Sequence, residues 1–248
     1  MRTINKRPPP NELVEWRQQR IAAADDVAMP FNYDAMRSNS DVVKAVELAL
    51  FREQGGICAY TGIKLGFSTD TRPLFHIEHL KAQDHCQRGE DTDYRNLVAC
   101  WPEPNFKGHV EYGANQKGAW PSPSEAGNFV SPLLANCTLR FVYRTKSQIA
   151  AARDDDTAAV ETIRMLGLNF KELKARRREA IQGALKPKRG QQLNLAQARK
   201  IKTEMERAEV DLNNGGNISL RAFCFAIKPF IDREVRKLEG IRNSRPNN

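Results

Sequence analysis

The stretch Phe75-His76-Ile77-Glu78-His79-Leu80 gathers most of the chain's acid–base chemistry. All four histidines, His76, His79, His85 and His109, fall within 34 residues. Glu78 and His79 stand side by side at the end of an apolar run that reads as a strand. Asn96 follows His79 after 17 residues, and Asn105 follows nine later. A histidine of near-neutral pKa can take a proton from water at physiological pH. A carboxylate beside it can hold a hard divalent cation through oxygen. Such a cation neutralises a scissile phosphate and its leaving oxygen. One asparagine can add a neutral oxygen ligand, and another can fix the imidazole by hydrogen bonding the strand that carries it. The chemistry within reach is phosphodiester hydrolysis. Side chains alternate along a strand, so His76 shares the face of Glu78 and reads as its neighbour rather than as a ligand. A His-Glu-His triplet alone is more often a satisfied polar edge, and it is Asn96 and Asn105 that weigh toward a site.

The arrangement resembles the HNH (ββα-metal) endonuclease motif in its Glu-His, Asn, Asn form. The surrounding words Ile57-Cys58-Ala59-Tyr60, His76-Ile77-Glu78-His79, Asp93-Tyr94-Arg95-Asn96-Leu97 and Asn105-Phe106-Lys107-Gly108 look like the PtuB-like subfamily of retron and Septu anti-phage systems. The likeness covers about residues 55–125, and the opening Ile4-Asn5-Lys6-Arg7-Pro8-Pro9-Pro10 is a weaker echo of it. The resemblance implies Glu78 as first metal ligand, His79 as general base, Asn96 as the residue that orients the base, and Asn105 as the last ligand, with His109 its competitor. It implies Mg2+ or Mn2+ as cofactor. Many relatives carry two CxxC pairs that bind a structural zinc; here Thr61 and Pro104 stand where a partner would, leaving Cys58 and Cys100, so structural zinc is expected to be absent. The implied partners are a PtuA-like ATPase, nucleic acid (DNA, with RNA such as tRNA open), and, in retron systems, a reverse transcriptase with its RNA–DNA hybrid.

These residues need elements to position them. Residues 57–65 and 74–80 read as strands, 81–92 as a polar loop, and 97–100 as a short strand. Pro102 and Pro104 suit a first helical turn, which would set Asn105 facing the Glu78-His79 strand. Upstream, 1–12 should be extended and 12–24 a short helix. Ser40-Asp41 offers an N-cap for a helix that Gly55-Gly56 stops. Downstream, 113–123 reads as a turn-rich connector, and 129–134 and 138–144 as strand-like. Helices are expected over 157–166, 170–185 (ended by Pro187), 193–212 and from a Ser219 cap to about 238. Asn213-Asn214-Gly215-Gly216 should break the third from the fourth, and 243–248 should be disordered. The class is α+β: a central HNH core over 56–125, an N-terminal extended and helical segment over 1–55 packing on it, and a mostly helical basic region over 126–248.

Charge follows this division. The net charge is +9, yet residues 1–140 hold 16 Lys and Arg against 17 Asp and Glu, while 141–248 hold 23 against 13. A basic half fits nucleic acid, solvated helix faces or an acidic protein partner. Lys107, with Lys174, Arg176, Arg177 and Arg178, is the candidate phosphate-binding set. Five scattered cysteines do not make a disulfide framework. No run approaches a membrane span and no signal-peptide core opens the chain, so a cytoplasmic protein is expected. There is no Gly-rich phosphate loop, so ATP hydrolysis is not expected. The leading reading is a metal-dependent endonuclease acting in anti-phage defence; the alternative is a catalytically inactive HNH-fold adaptor binding an ATPase or nucleic acid.

Overall fold

The computed structural model describes residues 1–23, 28–186 and 193–243. Helices predominate, with two small two-stranded antiparallel sheets, an α+β chain. Three helices come first, α1 (Asn11–Ala22), α2 (Tyr33–Arg37) and α3 (Ser40–Glu53). Asn39, not Ser40, caps α3: its side-chain oxygen accepts from the amides of Asp41 and Val42, which places Ser40 inside the helix. Gly55 and Gly56 then take positive φ and stop it.

Strands β1 (His76–His79) and β2 (Leu97–Cys100) follow and pair with each other. The first expected strand does not form. Residues 57–65 fold on themselves through one bridge, Ile57 to Lys64, because Gly62 turns the chain back at positive φ. A Cβ there would meet the ring of Phe225 at 2.5 Å. The expected helix at 102–105 is also absent. That stretch turns after a cis Trp101–Pro102 bond, and the next helix is the single turn α4 (Ala114–Lys117).

Beyond it, β3 (Phe141–Tyr143) and β4 (Ile149–Ala151) form the second sheet, and 129–134 is not a strand. Helices α5 (Thr157–Met165), α6 (Lys171–Leu185), α7 (Leu195–Asn213) and α8 (Cys224–Asn243) complete the chain. Asp156 caps α5 and Asn194 caps α7. The last helix starts at Cys224. Ser219 lies before it in an extended link that zips onto the core, with the Leu220 amide donating to Gly55 O and that of Phe223 to Gly62 O. Pro187 and residues 244–248 lie outside the described residues.

One hydrophobic cluster runs through all three stretches that the sequence divides, joining Leu13 and Leu50 to Leu97 and Phe75 and on to Leu173 and Ile231. Arg177 of α6 belongs to this interior and not to a basic surface. It is 2% exposed, donates to Ser147 O (2.7 Å) and Leu168 O (2.8 Å), and lies over the Tyr143 ring. The cause is helical geometry: Leu173, Arg177, Ile181 and Ala184 follow one another at four-residue and three-residue steps on the inward face. Arg177→Ala strands two buried carbonyls, and we expect it to lower unfolding stability by about 2–5 kcal/mol in urea titrations. A variant of unchanged stability and weakened nucleic-acid binding would contradict this interior role.

Candidate active site

Every residue of β2 is buried, and β1 alternates, with His76 and Glu78 half-buried and Ile77 and His79 buried. Apolar Ile77, Leu97, Val98 and Ala99 hold the ribbon in the core. The second edge of β2 is satisfied by Gln54 at the end of α3. Its amide donates to Ala99 O and accepts from Ala99 N, at 2.8 and 2.7 Å. The register sets His79 opposite Leu97 and Glu78 opposite Val98.

Glu78 faces two cations or potential cations. Its Oε1 lies 3.0 Å from Nζ of Lys117, whose side chain is 1% exposed, and its Oε2 lies 3.9 Å from Nε2 of His76. The Lys117 contact is an ion pair without hydrogen-bond alignment, since Oε1 is buried and finds no donor in line. Lys117 instead donates to His79 O at 2.9 Å. His76 is held by Pro102 O at its Nδ1. A carbonyl only accepts, so Nδ1 carries a proton and donates it to Pro102 O, and Nε2 is the nitrogen nearer Glu78.

His79 is covered rather than open. It is 7% exposed, with the Tyr33 ring edge-on at 4.5 Å. Its Nε2 lies 2.8 Å from Asp91 O, which by the same reasoning leaves the lone pair on Nδ1. Burial pushes its pKa below the ordinary histidine value, partly offset by the Asp91 carbonyl and the Glu78 charge. The ring is therefore neutral at pH 7 and able to accept a proton. Tyr33 is itself fixed by its amide donating to Asp91 Oδ2 at 2.7 Å.

Asn96 clamps the chain where it leaves β1. It accepts from Lys81 N (2.7 Å) and donates to Lys81 O (3.1 Å), and its own carbonyl accepts from Leu80 N. Lys81, His85 and Asn96 share a cleft of about 400 Å³ with Pro121, Pro123 and Phe129. A larger cavity, about 610 Å³, lies away from these residues between α7, α8 and β3. The smaller cleft lies next to the candidate residues, since Leu80 and Lys81, directly after β1, line it.

The other expected site residues stand apart. Asn105 is exposed on the 101–108 turn, and among the described residues no hydrogen bond or ion pair joins it to Glu78 or His79. Lys107 and His109 are exposed, with His109 3.5 Å from Glu111. Arg176 and Arg178 are exposed and Lys174 half-buried on α6. Arg176 sits 4.9 Å from the Trp101 ring, one residue past β2, so the outer face of α6 borders the loop that holds His76. Cys58 and Cys100 are buried free thiols.

Sequence reasoning missed Lys117, Tyr33 and Asp91. The one available signal for Lys117 was the pair of glycines, Gly113 and Gly118, which flank α4 at positive φ. No protein-family model matches the chain, and no match is found among curated proteins.

Lys117→Met leaves Glu78 without its counter-charge. The carboxylate keeps some solvent contact, so the cost should be about 1–3 kcal/mol. Glu78→Gln in the same chain should recover part of it, and a double-mutant cycle from urea melts measures that coupling. Additive losses would show that the two groups do not sense each other.

Proposed function

We propose that the chain is a metal-dependent HNH-type endonuclease that hydrolyses phosphodiester bonds in nucleic acid. The observation that carries this reading is the juxtaposition at the end of β1: a neutral, oriented His79 next to a Glu78 carboxylate, with Asn96 fixing the strand exit. The order β1, β2, α4 supports it. His79 Nδ1 takes a proton from the attacking water, and its Nε2–H remains tied to Asp91 O. Lys117 holds Glu78 from below and fixes the His79 carbonyl, keeping the two side chains in step. Glu78, and on the resemblance Asn105, would hold a divalent cation, magnesium or manganese, whose positive charge would offset the negative charge on the phosphate and the departing oxygen. Glu78 fits that role, since its buried Oε1 lacks an aligned donor and its Oε2 is free of hydrogen bonds.

DNA is the favoured substrate, with tRNA an alternative, because the chemistry engages a phosphate that both carry. On the resemblance, the chain acts in the cytoplasm as an anti-phage effector with a PtuA-like ATPase, and in retron systems with a reverse transcriptase and its hybrid. Among the described residues no helix is long and apolar enough to cross a membrane. The exposed Lys107, Arg176 and Arg178, with the half-buried Lys174, would grip the backbone without reading sequence.

A second reading is favoured by two observations. Tyr33 covers His79 and an ammonium already occupies one side of Glu78, as an inactive adaptor would allow. Nicking of supercoiled plasmid, and cleavage of tRNA, by the purified chain alone and with an ATPase partner separates the two. His79→Ala should then lower the rate by about a hundredfold to ten-thousandfold while the fold persists; a wild-type rate would remove His79 from the mechanism.

Neutralising Arg176 and Arg178 together should weaken binding of all sequences alike and flatten the salt dependence of affinity by about one to two phosphate contacts. An unchanged salt slope would turn α6 toward a protein partner.

A further inference from the structure

The half-buried face of β1 carries a second nitrogen that the assignments above leave without a task. His76 and Glu78 are two residues apart on one strand, so they project to the same side. Pro102 O holds His76 at its Nδ1, which leaves Nε2 as the nitrogen nearer Glu78, 3.9 Å from Oε2. Lys117 engages the opposite oxygen, Oε1, and divides its charge with the His79 carbonyl. The carboxylate is thus anchored on one side and presents its second oxygen beside a free imidazole nitrogen. Both side chains keep solvent access, 21% for His76 and 16% for Glu78.

We propose that His76 Nε2 and Glu78 Oε2 form a two-ligand chelate for a divalent transition ion such as Mn2+ or Co2+. This rests on the nuclease reading above, makes His76 a ligand rather than a neighbour, and narrows the ion's chemical class. Imidazole nitrogen suits transition ions and is a poor ligand for Mg2+ and Ca2+, which take oxygen. Lys117 strengthens that bias, because it neutralises the charge on which a purely electrostatic Mg2+ site depends. No third His, Cys, Asp or Glu converges on the pair among the described residues, so water or substrate phosphate oxygens complete the shell. Pro102 O is the outer partner that sets the imidazole's orientation, a feature of histidine ligands generally.

Direct binding tests this without reference to cleavage. The full chain is titrated with Mn2+ and the loss of the free-ion paramagnetic resonance signal is followed; Co2+ loading is followed by proton NMR. Wild type should take up one Mn2+ that Mg2+ at tenfold excess does not displace. Its Co2+ form should show one strongly shifted exchangeable proton, the Nδ1–H that donates to Pro102 O. His76→Asn keeps a donor near the Nδ1 position and removes Nε2. It should stay folded by circular dichroism, weaken Mn2+ binding by at least about tenfold, and abolish the shifted proton. Glu78→Gln should weaken binding comparably. If His76→Asn binds Mn2+ as tightly as wild type while Glu78→Gln does not, His76 is a neighbour only and the chelate is wrong. If Mg2+ displaces Mn2+ at equal concentration, or wild type takes up no Mn2+, the proposal also fails. Plasmid nicking in Mg2+ by the same preparation tells either failure apart from failure of the nuclease reading.

Discussion

The end of the β1–β2 ribbon is held by two buried lysines, and the candidate site depends on both. His79 and Leu97 are register partners. Lys117 donates to the carbonyl of the first and Lys6 to that of the second. Each ammonium also meets a glutamate, Glu78 for Lys117 and Glu53 for Lys6. Desolvating an ammonium is costly unless opposite charge and acceptors surround it. The pairs therefore tie α4, α3 and the N-terminal residues to one point on a four-residue strand. Removing Lys6 leaves the buried Glu53 carboxylate without its counter-charge, and removing Lys117 does the same to the half-buried Glu78, so the geometry around His79 is enforced from both sides. Such a short ribbon would have little stability by itself.

The same arrangement divides labour among groups that differ in exposure. His79 and Lys117 face inward and are fixed. His76 and Glu78 face outward and keep contact with water. Tyr33 lies against His79 from α2 and is itself tied to Asp91, whose backbone carbonyl sets the His79 tautomer. The Asp91 segment is tied to α1 as well, because Arg17 donates to Gly89 O. The N-terminal helices thus supply the cover of the site, and their integration into one core with it has a functional consequence. Any motion that uncovers His79 must move α2 or the 89–92 turn.

The helices were legible wherever apolar spacing and a break coincided, as in 157–166 and at Asn213-Asn214-Gly215-Gly216. Strand β2 was legible from a short apolar run, and Asn96 from its place beside it. The errors share a cause in tertiary context. Residues 57–65 look like a strand by composition, but Gly62 and the approach of Phe225 fold them into a tight turn. Pro102 and Pro104 suit a helix start locally, yet residues 101–108 form turns instead and leave Asn105 exposed. Arg177 could not be told from its basic neighbours by charge; only the inward face of α6 separates them. Lys117 lies 38 residues from the carbonyl it binds, and no local pattern announces such a contact.

On the proposed reading, the β1 site hydrolyses phosphodiesters with water as nucleophile. The most direct measurement digests a defined DNA duplex with the purified chain in 18O-labelled water and weighs the products by mass spectrometry. On that reading the expected products are fragments with a 3′ hydroxyl and a 5′ phosphate carrying one labelled oxygen at the cut. Duplex left intact with Mg2+ or with Mn2+, or cut ends whose phosphate carries no label, would contradict it.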